Sequence, residues 1–155
     1  RSILGSGSQW ELYILSMCLV TDVELRPDDA VELDAGAIRA RAVFLLHDIL
    51  SDPAPRQRDI PTIMAFAAAV GLSVVAAEDA GSDRRSVGAE LITTALAVGT
   101  NQTCRLLSHS YLRTRTEQLD ARALVQAGER IRSLDRAQLV AHAAGLARRL
   151  AGETG

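Results

Sequence analysis

Residues 60–77 read IPTIMAFAAAVGLSVVAA, the longest run of this 155-residue chain without a charged side chain. Asp59 and Glu78 flank it. As a helix the run extends about 27 Å, close to the thickness of the hydrocarbon core of a bilayer. The run is rich in Ala, however, and neither Trp nor Tyr anchors its ends. We therefore predict the buried helix of a bundle and not a membrane span.

Local signals predict where this helix begins and how it packs. Asp59 is an N-cap candidate, and Pro61 falls in the first turn, where its missing N–H costs no hydrogen bond. Gly71 lies inside the run, and Ala67 precedes it by four residues, so the two share one side of the helix. This pair predicts a notch of small residues at which another helix approaches closely.

Composition and charge limit the classes of function. The formal net charge is −2, which argues against a general nucleic-acid binder. The charge is uneven, because residues 1–80 carry six Arg against twelve acids, whereas residues 81–155 carry eleven Arg against seven acids. Every basic residue is Arg and Ala is abundant, which is typical of a GC-rich bacterial genome.

Cysteine usage predicts a reducing compartment. Cys18 and Cys104 have no ligand-like spacing, so we interpret both as small packing residues of a cytoplasmic protein. No metal site and no cofactor is expected. Residues 1–8, RSILGSGS, are interpreted as a flexible tail or a vector remnant, which leaves residues 9–155 as one α-helical domain.

Two helices are predicted before the central run. A capping box at Ser8 and Glu11 precedes an apolar helix over residues 9–20, which an acidic loop follows. A strand is the alternative for this segment. A second helix covers residues 35–50, with Arg39 directed outward. Arg41 is also expected to point outward, and His47 to be at most partly covered. The predicted inward stripe comprises Ile38, Ala42, Phe44, Leu45, Leu46, Ile49 and Leu50.

The stretch from residue 86 to residue 112 has two interpretations. It is either one long helix or two helices, 86–98 and 102–112, separated by Gly-Thr-Asn at 99–101. In the second case ITTALAVGTNQTCRLLSHSYL resembles a bacterial helix-turn-helix over about twenty residues. Ala95 and Leu96 would then pack before the turn, and Cys104 and Leu107 after it. The resemblance implies a DNA-binding regulator.

The same stretch carries the candidate binding residues. Arg105, His109 and Arg113 follow one another at intervals of four, so a helix places them in one basic stripe. Gln102 and Ser108 complete the set. We predict a non-enzymatic interaction or oligomerisation module, a homodimer or other homo-oligomer, that binds an acidic protein through this stripe. DNA is the alternative partner.

A third interpretation is a small helical enzyme or ligand-binding protein. Thr100, Thr103 and His109 would line a pocket for a small molecule, with His109 or Tyr111 as the acid or base. No second catalytic group can be placed nearby, so we predict no catalytic residue.

A helical hairpin is predicted to close the chain. Asp120 caps a helix that turns Leu124, Ala127, Gly128 and Ile131 inward and Arg130 outward. Asp135 and Gln138 form a capping box for the last helix, which Gly152 ends and whose stripe His142 borders. That stripe is Leu139, Ala143, Leu146, Ala147 and Leu150. The predicted fold is a single compact all-α bundle of about six helices around the central helix over residues 60–77.

Overall fold

A computed structural model describes residues 35–51, 57–77, 81–107 and 119–154. These residues form six α-helices and a 3-10 turn, with no strand among them, and the predicted all-α bundle is confirmed. The predicted tail, first helix and acidic loop lie outside the described residues. The helices are α1 (Ala35–Leu50), α2 (Ile60–Ala76), α3 (Ser82–Val98), α4 (Thr100–Leu107), α5 (Ala121–Ile131) and α6 (Arg136–Thr154), and the 3-10 turn is Gln57–Asp59.

The predicted central helix is α2. Every residue from position 66 to position 74 is buried, and α1, α3 and α4 pack against the helix. Within the described ranges one helical segment, Gln57–Ala76, is long and apolar enough to cross a membrane, but 78% of its most apolar window is buried inside the fold. The neighbouring helices therefore account for its composition.

The start of α2 differs in one detail from the prediction. Asp59 does occupy the position before the helix, and Pro61 lies in the first turn. The Asp59 side chain makes no capping hydrogen bond, because Asp59 is the last residue of the 3-10 turn and its backbone is already in a right-handed helical conformation.

Two glycines meet where α2 and α3 cross. A Cβ on Gly71 would lie 2.6 Å from the carbonyl oxygen of Gly88, and a Cβ on Gly88 would lie 2.8 Å from the carbonyl oxygen of Gly71. One turn beyond, Arg85 Nη2 donates to the carbonyl of Ala77 at 3.4 Å, so the two helices run antiparallel. The predicted notch at Gly71 is confirmed, and Gly88 is its partner.

Three polar contacts join α6 to α3 in antiparallel order. As the α6 residue number rises from 136 to 142 and 150, the number of its α3 partner falls from 98 to 90 and 84. A short turn links α5 to α6, and both helices pack against α3. The contacts pair Arg136 with Val98, His142 with Glu90, and Leu150 with Arg84.

The two predicted N-terminal caps of this hairpin are confirmed. Most of the predicted inward positions are buried, whereas Leu124 and Gly128 are only partly buried. The Asp120 carboxylate accepts from the backbone N–H of Arg122 at 3.0 Å. Asp135 and Gln138 exchange side-chain to backbone hydrogen bonds of 2.8 and 2.9 Å, the geometry of a capping box. The buried residues that face the core are Ala127, Ile131, Leu139, Ala143, Leu146, Ala147 and Leu150.

Three details of α1 and α6 were predicted wrongly. Phe44 is 49% exposed because Val43, fully buried and about 100° away around the helix, takes the inward position. Arg39 is half-buried, since its Nε donates to the Ser73 hydroxyl of α2 at 3.1 Å. Gly152 does not end α6, which continues to Thr154. Arg41 is exposed and His47 partly covered, as predicted.

Candidate functional site

The break between α3 and α4 organises the predicted binding surface. The long stretch is two helices, but only Gly99 separates them, and Thr100 is already helical. The Gly99 N–H donates to the carbonyl of Ala95 at 2.8 Å, and the Gly99 carbonyl accepts from the Thr103 N–H at 2.9 Å. The turn is therefore shorter than the three residues, 99–101, that the sequence predicted.

The exposed side of α4 carries two of the predicted binding residues. Gln102 and Arg105 are exposed, whereas Thr103 and Leu106 are buried on the opposite side. Cys104, predicted to pack inward, is an exposed free thiol. Ser108, His109 and Arg113 lie outside the described residues.

The register of α4 explains why Cys104 was misplaced. The Thr103 hydroxyl donates to the carbonyl of Ala95 at 3.4 Å, so a polar residue occupies the inward position that the helix-turn-helix resemblance gave to Cys104. A shift of one residue rotates a helix by about 100°, and this shift turns the thiol to solvent.

The two threonines of the predicted pocket do not share a surface. Thr100 is exposed, and its hydroxyl donates to the carbonyl of Leu96 at 2.5 Å. Thr103 is fully buried. Each hydroxyl is therefore engaged by a carbonyl of α3, and the third predicted member of the wall, His109, lies outside the described residues.

The guanidinium of Arg136 lies beside the start of α4. Arg136 is exposed and donates from Nη1 to the carbonyl of Val98 at 3.2 Å. Val98 is the last residue of α3, only two positions before α4 begins. A cation at this helix C-terminus is favourable because the last carbonyls carry partial negative charge.

A cluster that the sequence did not predict joins α3, α5 and α6. Glu90 Oε1 accepts a hydrogen bond from Arg130 Nε at 2.5 Å, and Glu90 Oε2 lies 2.5 Å from His142 Nε2. The side chain of Glu90 is only 10% exposed, against 48% for Arg130 and 33% for His142. We call these three residues the Glu90 cluster; its carboxylate is inside the fold and its basic groups reach the surface.

The α5–α6 hairpin positions the two basic residues. Ala127 and Ile131 are buried against the core. Arg130, which lies between them in the sequence, is exposed beside α3. On α6, His142 likewise lies between the buried Leu139 and Ala143 in the sequence. Both side chains therefore contact the Glu90 carboxylate, although Arg130 is 40 residues and His142 52 residues from Glu90 in the sequence.

Hydrogen-bond chemistry fixes the orientation of both basic groups. An ionised carboxylate can only accept, so Nε2 of His142 carries the hydrogen and Nδ1 is left on the other side of the ring. Arg130 donates its Nε–H to Glu90. In the part of the chain that the structure describes, no group accepts from the terminal nitrogens of Arg130. The cluster can thus donate to an oxyanion at the surface.

One sequence signal, which the prediction did not use, could have identified Glu90. It is the only acid between residues 84 and 116, and it stands among the apolar side chains of Ala89, Leu91 and Ile92. A lone carboxylate on a buried face requires a partner. Arg130 was predicted only to point outward, and His142 only to border the apolar stripe of the last helix.

Comparison with known proteins supplies no analogy for these sites. Protein-family models, curated proteins and solved structures gave no match to this chain. Among the described residues, no three His, Cys, Asp or Glu side chains are arranged to hold a metal ion. The exposed side of α4 and the Glu90 cluster are therefore the two candidate sites.

Proposed function

We propose that this chain is a non-enzymatic helical interaction module that binds an acidic protein partner through α4. The observation that supports the proposal is the exposure of Gln102 and Arg105 on a helix whose other side is anchored by Thr103 and Leu106. A helix held on one side presents its outward residues with little ordering left to occur on binding. Arg136 adds a second guanidinium beside the start of α4.

The charge distribution supports an acidic partner. The second half of the chain carries eleven Arg against seven acids, and exposed cations steer an oppositely charged surface into contact. We include Ser108, His109 and Arg113, which lie outside the described residues, in the proposed surface. We place the protein in the cytoplasm of a GC-rich bacterium and propose a homo-oligomer, for which light scattering should give a mass above that of one chain.

Charge reversal on α4 tests the proposed surface. Arg105→Glu should elute from a poly-L-glutamate column at lower salt than the unchanged protein, because it replaces attraction by repulsion. Its melting temperature should change little, since surface substitutions typically stay within about 0.5 kcal/mol. Arg122→Glu is the matched control, with the same charge change at an exposed position of α5.

Two column results would contradict the proposed surface. Equal elution of the two variants, or no retention of the unchanged protein, would contradict binding through α4. Unfolding of Arg105→Glu would give that arginine a structural role instead.

DNA binding remains the second candidate because the chain does break into two helices at Gly99. A DNA-binding regulator would be retained on duplex DNA, and its affinity would fall steeply as salt displaces phosphate contacts. Retention on duplex DNA without retention on poly-L-glutamate would favour this candidate over the acidic protein partner.

A further inference from the structure

The surface edge of the Glu90 cluster has the chemistry of an anion-binding site. Arg130 uses Nε–H to bind Glu90, which directs one edge of its guanidinium group at the carboxylate. Its two terminal nitrogens form a fork whose spacing matches two oxygens of a carboxylate or a phosphate. Nδ1 of His142 lies on the ring edge away from Glu90 and becomes a further donor when the imidazole is protonated.

Glu90 does not prevent an anion from approaching. Both of its oxygens are occupied by Arg130 and His142, and its side chain is 10% exposed. The guanidinium cancels its charge at close range. An incoming oxyanion therefore meets the Arg130 guanidinium already held by Glu90, and it loses little affinity to the ordering of that flexible side chain.

A purely structural role would leave these donors unused. A carboxylate that joins three helices needs only one hydrogen bond from each partner, and Arg130 provides that bond with Nε alone. The remaining nitrogens belong to a side chain that is 48% exposed. We propose that Arg130 and His142, oriented by Glu90, bind the oxyanion group of a small ligand, a carboxylate or a phosphate. This site is separate from the proposed surface on α4.

Titration with minimal anions tests the site in the unchanged protein. Acetate and inorganic phosphate, added at constant ionic strength against a chloride control, should produce saturable NMR shifts of the Arg130 Nε–Hε signal and of the His142 ring signals. The anion that saturates the site at the lower concentration shows whether the site prefers a carboxylate or a phosphate. Shifts that do not saturate with either anion, or that match those from chloride, would overturn the proposal.

A matched pair of variants separates anion binding from packing. Arg130→Lys keeps a cation for Glu90 but has no fork, so the affinity for the anion should fall about tenfold. Arg132→Lys makes the same change at an exposed position two residues along the chain and should bind as the unchanged protein does. Equal binding by both variants would overturn the proposal.

Binding of an acidic partner through α4 and binding of an anion by Arg130 and His142 can be disproved independently of each other. Arg105→Glu should keep the anion-induced shifts whether or not it loses the acidic partner, because its charge change is on α4. Should Arg130→Lys fail to fold, the titration of the unchanged protein still decides the question, since it requires no substitution.

Discussion

Glu90 shows how one buried carboxylate connects three helices. Its neighbours on α3 are apolar, and burial of an unpaired charge among them would be costly. Arg130 and His142 each supply a hydrogen bond to one of its oxygens. Since both partners remain partly exposed, they can return to water if the carboxylate is removed, which limits the cost of losing it.

Removal of Glu90 should destabilise the fold. Glu90→Ala loses two charged hydrogen bonds and leaves a gap under α5 and α6, so we expect the free energy of unfolding to fall by about 2–3 kcal/mol. Urea unfolding measures this change. Glu129→Ala is the control, because it removes an exposed acid from α5 and should cost less than about 0.5 kcal/mol. Similar losses in the two variants would mean that the Glu90 cluster does not stabilise the hairpin.

The Glu90 cluster also marks the limit of prediction at the residue scale. Nothing local to Glu90 identifies its partners, because they lie 40 and 52 residues away and only the packing of α5 and α6 on α3 brings them close. By contrast, the capping role of Asp120 was predictable, since its partner is two residues away.

Helix pairing depends on which glycines face another helix. Gly71 and Gly88 let the backbones of α2 and α3 approach until a Cβ on either one would overlap the opposite carbonyl. The sequence showed Gly71 as a notch, but it did not identify Gly88 as the residue opposite. Crossing points depend on the relative position of two helices, which no pattern within one helix reveals.

Two alanine substitutions should therefore have opposite effects. Gly71→Ala places a Cβ 2.6 Å from a backbone oxygen, so α2 and α3 must separate, and we expect a loss of about 1–3 kcal/mol. Among the described residues, Gly128→Ala meets only Thr93 Cγ2 at 3.9 Å, an ordinary contact. It should gain about 0.5–1 kcal/mol, because Gly weakens a helix interior. Thermal unfolding measures both changes, and a stabilised Gly71→Ala variant would contradict the close crossing.

At the scale of the whole molecule, α2 resembles a membrane helix in length and composition. Its Ala content and the absence of aromatic anchors favoured a core helix, and the structure encloses it with α1, α3 and α4. Apolar content alone did not decide between the two. The fold class was predictable because each helix carries its own pattern of apolar residues and caps, whereas the order in which the helices pack was not.

Enclosure of α2 predicts the order in which regions of the bundle open. Backbone amides at residues 63–74 should exchange slowest with solvent deuterium in buffer without detergent, because their exposure requires global unfolding. Amides of α4 should exchange faster, since that short helix has one exposed side and follows the break at Gly99. Hydrogen exchange followed by mass spectrometry or NMR measures both rates. Exchange of α2 as fast as α4, or a need for detergent to keep the protein dispersed, would mean that α1, α3 and α4 do not cover the central helix.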